Sequence, residues 1–501
     1  MKKLSITVKR IAPLFLAASL ALGALTGCEY SSVEDYLEDL GILDPYDRED
    51  ETGTVADLEI STVNFEYDTD ENNSQEEPEI QIAESDASQE LSAEASAEAL
   101  PQDEAKELLE EPGADPEIGN HADDEFVKGY KELKDSNTDS EVKAARTAMG
   151  LTENGIRELK NAQKGLYAYE LLTDAGKTLY VEMLAILQNL GTDVTVSTTS
   201  DEAIEMVFDY VMADHPEIFY VDGYQYTNYS VGDTITRISF TGNYLYGADE
   251  VKRRQTRINE AVNKCLQGAP SSEDDYYAIK YVYEYLIANT EYDMDAVDNQ
   301  NICSVFINGK SVCNGYAKAA QYLLGKLGIK STLVTGTVNT RNSSGVRHAW
   351  NLVLCNNSYY YMDVTWGDAS YQTVSGESAD ATKLPAVNYD YLNVTTSEIT
   401  SNHAISDIMA MPKCNSIADN FYVRENEYFT SAEMALVTDL FNRRYKDGSN
   451  NVTIKCSNDG IYDSLFEELI TNRRVFECLQ GDTSQVSYTT FEDTRTIIFW
   501  I

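Results

Sequence analysis

The sequence predicts an α+β fold: a helix packed on an antiparallel sheet, with an α/β module upstream and a C-terminal α/β segment. Three observations carry this. Apolar residues recur at helical spacing from Cys313 onward, two alternating stretches meet at Asn356-Asn357, and separate helix and strand patterns flank that unit on both sides.

Residues 1–27 have the layout of an export leader, a lipoprotein signal peptide. Lys2, Lys3, Lys9 and Arg10 make a positive start, and residues 11–25 form an apolar run too short to span a bilayer comfortably. Leu25-Thr26-Gly27-Cys28 follows and resembles the lipobox of bacterial lipoproteins. The resemblance implies lipidation at Cys28, which would hold the mature chain at the cell membrane, facing outside the cytoplasm.

Residues 28–125 read as an acidic, disordered stalk. Of 84 Asp and Glu, 34 fall between Glu29 and Glu125, against Arg48 and Lys106 as the bases there, so much of the net charge of −46 is local. Aromatic residues are scattered singly, too little apolar surface to offset chain entropy. This balance repels phosphate backbones and anionic headgroups, which excludes nucleic acid as a partner and leaves membrane attachment to the leader.

Helical periodicity begins near Phe126 and strengthens over 166–190, where Leu171, Leu179, Met183, Leu184 and Leu187 form a stripe. A helix over 202–212, a strand over 234–240 and a polar-faced helix over 248–266 complete a module at 126–270. Ser272 and Asp275 resemble a helix start, and Ile279, Val282, Tyr283, Leu286 and Ile287 supply the stripe behind it. That opens a second unit, 271–410. Composition changes near Met411-Pro412, and 411–501 follow with helices over 431–444 and 462–472 and a closing strand over 495–501.

Within 271–410, Tyr316, Ala317, Ala320, Leu323, Leu324 and Leu327 mark the inward face of a helix that Gly328 is placed to end. Cys313 sits on its first turn, after an Asn308-Gly309 turn. The positive end of a helix stabilises a thiolate, the reactive form of cysteine. His348 lies on a strand over 346–355 with Trp350, Leu352 and Leu354 on one face, and 359–366 read as the return strand. A two-residue turn at Asn356-Asn357 sets Leu354 opposite Tyr359 and Trp350 opposite Asp363. His348 and Asp363 then become diagonal neighbours on one face, within side-chain reach; a three-residue turn would part them. A thiol, an imidazole and a carboxylate together can form and resolve an acyl-thioester.

Ser311-Val312-Cys313-Asn314-Gly315-Tyr316-Ala317-Lys318, Arg347-His348-Ala349-Trp350 and Met362-Asp363-Val364-Thr365-Trp366 resemble, in order and spacing, the three blocks of the transglutaminase-like core. Tyr292-Asp293-Met294-Asp295 and Asn388-Tyr389-Asp390-Tyr391 extend the resemblance to about residues 271–405. It implies a papain-like fold with Cys313 as nucleophile, His348 as base and Asp363 as its orienting partner, and no metal or organic cofactor. Family members include cross-linking enzymes, hydrolases and forms without activity. The implied function is acyl transfer or hydrolysis at protein or cell-wall peptide amides; the alternative is a non-catalytic envelope binding or adhesion module on the same fold.

Tyr292, Trp350 and Trp366 are candidates to line the substrate pocket. His403, after Ser401-Asn402, reads as solvated. Cys303 and Cys355 read as structural thiols. The seven cysteines after Cys28 are odd in number and lack a CxxC pair, and His121, His215, His348 and His403 form no HExxH, so no metal site is expected.

Overall fold

The computed structural model describes residues 4–11, 60–63, 129–134, 136, 138–339, 344–368, 385–481 and 485–501. The apolar part of the leader, Cys28 and most of the expected stalk lie outside the described residues. Two strands fall in these N-terminal regions, β1 (Leu4–Ile11) and β2 (Ile60–Val63), paired parallel. β2 departs from the structureless stalk expected there. Its sequence, Ile-Ser-Thr-Val, has a β-branched residue at three of four positions and suits a pleated strand.

The upstream module places helices Ser140–Ala148, Glu153–Ala162, Tyr167–Glu170, Asp174–Gln188 and Asp201–Asp214 with β3 (Val194–Val196), β4 (Val221–Val231) and β5 (Thr234–Tyr244). The sheet runs β2-β1-β4-β5-β3. The helical stripe over 166–190 divides between Tyr167–Glu170 and Asp174–Gln188, because the Thr173 hydroxyl accepts from the Gly176 amide and caps a new helix. β4 escapes the alternation test because its inward positions are Tyr224, Tyr226 and Asn228 rather than aliphatic residues. Helix Ala248–Leu266 falls where the periodicity places it.

In the next unit, helix Asp275–Asn289 is capped by Asp274, which accepts from the Tyr276 amide. Ser272, the expected cap, instead accepts from the Asp274 amide, one step before the helix. β6 (Glu291–Tyr292) and β7 (Lys310–Ser311) pair and lead into helix Cys313–Lys326. Behind that helix, β8 (Ser331–Val338), β9 (Val346–Cys355), β10 (Ser358–Met362) and β11 (His403–Ile405) form an antiparallel sheet ordered β10-β9-β8-β11. Asn351 Nδ2 donates to the Ala317 carbonyl at 3.0 Å and ties helix to sheet.

The last segment has β12 (Tyr428–Phe429), helix Met434–Lys446, β13 (Asn451–Cys456), helix Asp459–Phe466, β14 (Ser487–Phe491) and β15 (Thr496–Trp500), ordered β12-β13-β15-β14. The helix expected over 462–472 stops at Phe466 and continues as a wide turn, Glu467–Thr471. One apolar core reaches from Leu151 to Tyr422, so the upstream module and the Cys313 unit share it; a second lies between Phe429 and Phe499. The two meet at a buried ion pair, Lys455 Nζ to Asp390 Oδ1 at 2.8 Å, with Thr496 Oγ1 also donating to Asp390. Among the described residues no helix is long and apolar enough to cross a membrane.

Candidate active site

Cys313 is the first residue of its helix, after Val312 in an extended N-cap conformation. The amides of the first turn have no acceptor within the helix and face outward with the positive end of its dipole. The approach is rigid. Asp293 N donates to Ser311 O at 3.0 Å, and the Ser304 and Ser311 hydroxyls share a hydrogen bond of 2.6 Å. Gly315 is needed because a Cβ there would collide with the Ser311 hydroxyl. Asn314 Nδ2 donates to Gln300 Oε1 at 2.8 Å on the same rim.

The hairpin takes the expected register, Leu354 against Tyr359 and Asn351 against Met362. Asn356 and Asn357 both have positive φ, 47° and 71°, the backbone of a tight two-residue hairpin turn. β10 ends at Met362 rather than continuing to Trp366. Asp363 turns out of the strand to cap a four-residue helical turn, Val364–Gly367, its Oδ1 accepting from the Thr365 and Trp366 amides at 2.9 and 3.2 Å. That turn aims Oδ2 at His348, whose Nε2 lies 2.7 Å away. Nδ1 is the ring nitrogen left over, and Cys313 is near enough to the ring to favour its charged form.

Burial works against a charged His348, but the Asp363 carboxylate and then the Cys313 sulfur outweigh it and raise the imidazole to about 10. Burial likewise opposes the charge on Asp363, yet the imidazoles facing it hold its carboxyl far below the usual carboxylate range. At neutral pH the arrangement is therefore an imidazolium between a carboxylate and a sulfur. Cys313 is half-buried, while the other cysteines among the described residues are all buried and unpaired. Burial pushes their thiols up, Cys265 and Cys303 to about 11, Cys414 and Cys456 to about 12.

His403 is not solvated. It is 3% exposed, and its Nε2 lies 3.0 Å from the same Asp363 oxygen that His348 meets. Gly336, in β8, makes this possible: it sits between His348 of β9 and Ile405 of β11, and a Cβ there would collide with the Ala404 carbonyl. A glycine inside a strand pattern signals close backbone approach, the one sequence clue to β11. His348, Asp363 and His403 also form the one cluster of metal-ligating types gathered among the described residues. Ligands around a tetrahedral zinc at about 2.0 Å stand roughly 3.3 Å apart. The contacts of 2.7 and 3.0 Å are those of direct hydrogen bonds.

The aromatic candidates turn inward. Trp350 is 0% exposed, Trp366 4% and Tyr292 4%. Trp350 and Trp366 pack around His348 and His403 at ring distances of 4.8 to 6.2 Å, and Tyr292 stacks on Tyr316. Expected as pocket-lining residues, they offer a substrate almost no surface. Trp350 and Trp366 shield the imidazoles from water instead.

Residues 263–364 match the model of the transglutaminase-like superfamily. Among solved structures, a TGase is similar at 16% identity over 33% of this chain and 50% of its own, with a TM-score of 0.21. A protein described as a candidate cysteine protease, from Cytophaga hutchinsonii, is similar at 13% identity over 28% of this chain and 56% of its own, with a TM-score of 0.20. The chain thus spans about half the length of these structures. No curated protein matches it.

Proposed function

Residues 263–364 form a transglutaminase-like core, and on that premise we propose that the chain is a cysteine enzyme acting on protein or cell-wall peptide amides, held at the cell surface by a lipid on Cys28. The observation that carries the reading is the half-buried Cys313, at a helix start, beside an imidazole whose charged form it favours and whose Nε2 is fixed 2.7 Å from a buried carboxylate.

The Cys313 thiolate attacks the amide carbonyl carbon and forms a C–S bond, while first-turn amides face the developing oxyanion. His348, charged at neutral pH, gives its proton to the leaving nitrogen; the C–N bond breaks, leaving an acyl-thioester and a neutral imidazole. That imidazole then takes a proton from water or an amine as it attacks the thioester. The C–S bond breaks and the thiolate–imidazolium pair returns. Hydrolysis is the favoured outcome of the second step.

The test is a quenched reaction with a Gln-containing peptide, read by intact mass and by ammonia release with and without a primary amine. A peptide adduct on Cys313 that is absent in Cys313→Ala supports the reading, and incorporation of the amine would move the reaction to cross-linking. No adduct and no ammonia from any peptide of a diverse library would favour the binding module.

A further inference from the structure

We propose that His403 is a positioning residue for this reaction: a neutral imidazole with its proton on Nε2, it donates to Asp363 Oδ2 and so fixes the oxygen, and the angle, at which His348 meets the carboxylate. This rests on the cysteine-enzyme reading above.

Four donors surround the Asp363 carboxylate. Two amides hold Oδ1 and two imidazoles hold Oδ2, which fills the lone-pair sites a carboxylate offers. With both oxygens held, the carboxylate cannot rotate about its last bond, and the lone pair facing His348 is set. The His403 side chain is 0% exposed, so water cannot stand in for it. Trp350, Trp366 and Tyr391 surround the ring at 4.9, 4.8 and 5.8 Å.

The proton inventory selects the tautomer. Nε2 must carry hydrogen to donate to Asp363, so a neutral ring has an acceptor at Nδ1; the atom placed there, 2.5 Å away, is Asn402 Oδ1, and a neutral ring therefore requires that amide turned over. As placed, Asn402 Nδ2 donates to the Tyr391 hydroxyl at 2.8 Å. Asn402 serves Nδ1 as donor when its NH₂ turns to His403 and its carbonyl accepts from Tyr391, an exchange that leaves its shape unchanged. A doubly protonated His403 would instead place a second buried cation 5.5 Å from the His348 ring. Burial opposes that most and the His348 charge adds to it, outweighing the pull of Asp363 and of the Ile399 backbone, and His403 stays below its ordinary value.

Two variants separate positioning from mere filling. Glutamine places its amide nitrogen where Nε2 lies and can still donate to Asp363; asparagine reaches only as far as Nδ1. The rate of Cys313 alkylation by iodoacetamide at neutral pH should stay within threefold of wild type in His403→Gln and fall tenfold or more in His403→Asn, with melting curves showing both folded. In the unmodified protein, ¹⁵N-histidine spectra should show a His403 ring protonated at Nε2 alone. Equal rates in the two variants, or a proton on Nδ1, would overturn the proposal while leaving Cys313 chemistry intact. A wild-type Cys313 no more reactive than a free peptide thiol would sink the enzyme reading and this one with it.

Discussion

His348 Nε2 and Asp363 Oδ2 lie 2.7 Å apart although their backbones never pair, because β10 ends at Met362 and Asp363 turns back as the cap of the next helical turn. The capping bonds to Thr365 and Trp366 orient the carboxylate as firmly as the strand orients the imidazole. Asp363→Asn keeps the cap but supplies no charge. It should lower amide turnover by about 10²–10⁴-fold at neutral pH, checked by ammonia release, with the backbone spectrum unchanged.

The pH dependence has two signs. The folded pKa of His348 is raised from 6.5 to about 10, so its contribution to stability is complete below 6.5 and is lost as pH rises toward 10. The carboxyl of Asp363 is depressed, so its contribution is present above its unfolded value of 3.8 and is lost as acid is added below that. Denaturant titrations of wild type and His348→Gln should converge as pH rises from 6.5 to 10. Amide turnover, which needs the imidazolium as proton donor, should fall near pH 10, whereas alkylation of Cys313 should not.

Gly336 carries the close approach of β11. Gly336→Ala must push the Ala404 carbonyl away, costing about 1–3 kcal/mol in stability as an overpacked contact and moving His403 off Asp363. Hydrogen exchange at residues 403–405 should speed up by more than elsewhere in the sheet.

The hairpin turn sets the register, and its two asparagines have left-handed backbone. Asn357→Gly should leave the melting temperature level or raised. Asn357→Val should destabilise by about 1–2 kcal/mol, because a β-branched residue resists positive φ. Thermal melts of the two variants check this.

Lys455 couples the last segment to the site. Its partner Asp390 precedes Tyr391, whose carbonyl accepts from the Asp363 amide at 2.9 Å. Lys455→Ala leaves a buried carboxylate unpaired, a loss of about 3–5 kcal/mol by denaturant titration. Activity should fall with it, since the Tyr389–Tyr391 turn supports Asp363.

Much of this was legible in the sequence because its local signals agree. Asn356-Asn357 favours the two-residue turn and with it the productive register, and the stripe after Cys313 marks the helix it begins. What escaped depends on contacts remote in sequence. His403 is three residues into nothing periodic, and it is buried only because Gly336, 67 positions earlier, bares a strand edge. Asp363 reads as strand by alternation, but a short polar side chain that can bond amides two and three residues on wins over the pattern. β4 hides its inward face in tyrosines.

The central claim is most directly tested by iodoacetamide at neutral pH, read by peptide mass spectrometry across the cysteines. Labelling should concentrate on Cys313, run about tenfold or more above a free peptide thiol, slow in His348→Ala and vanish in Cys313→Ala. Labelling of Cys313 at the free-thiol rate, indifferent to His348, would contradict the account.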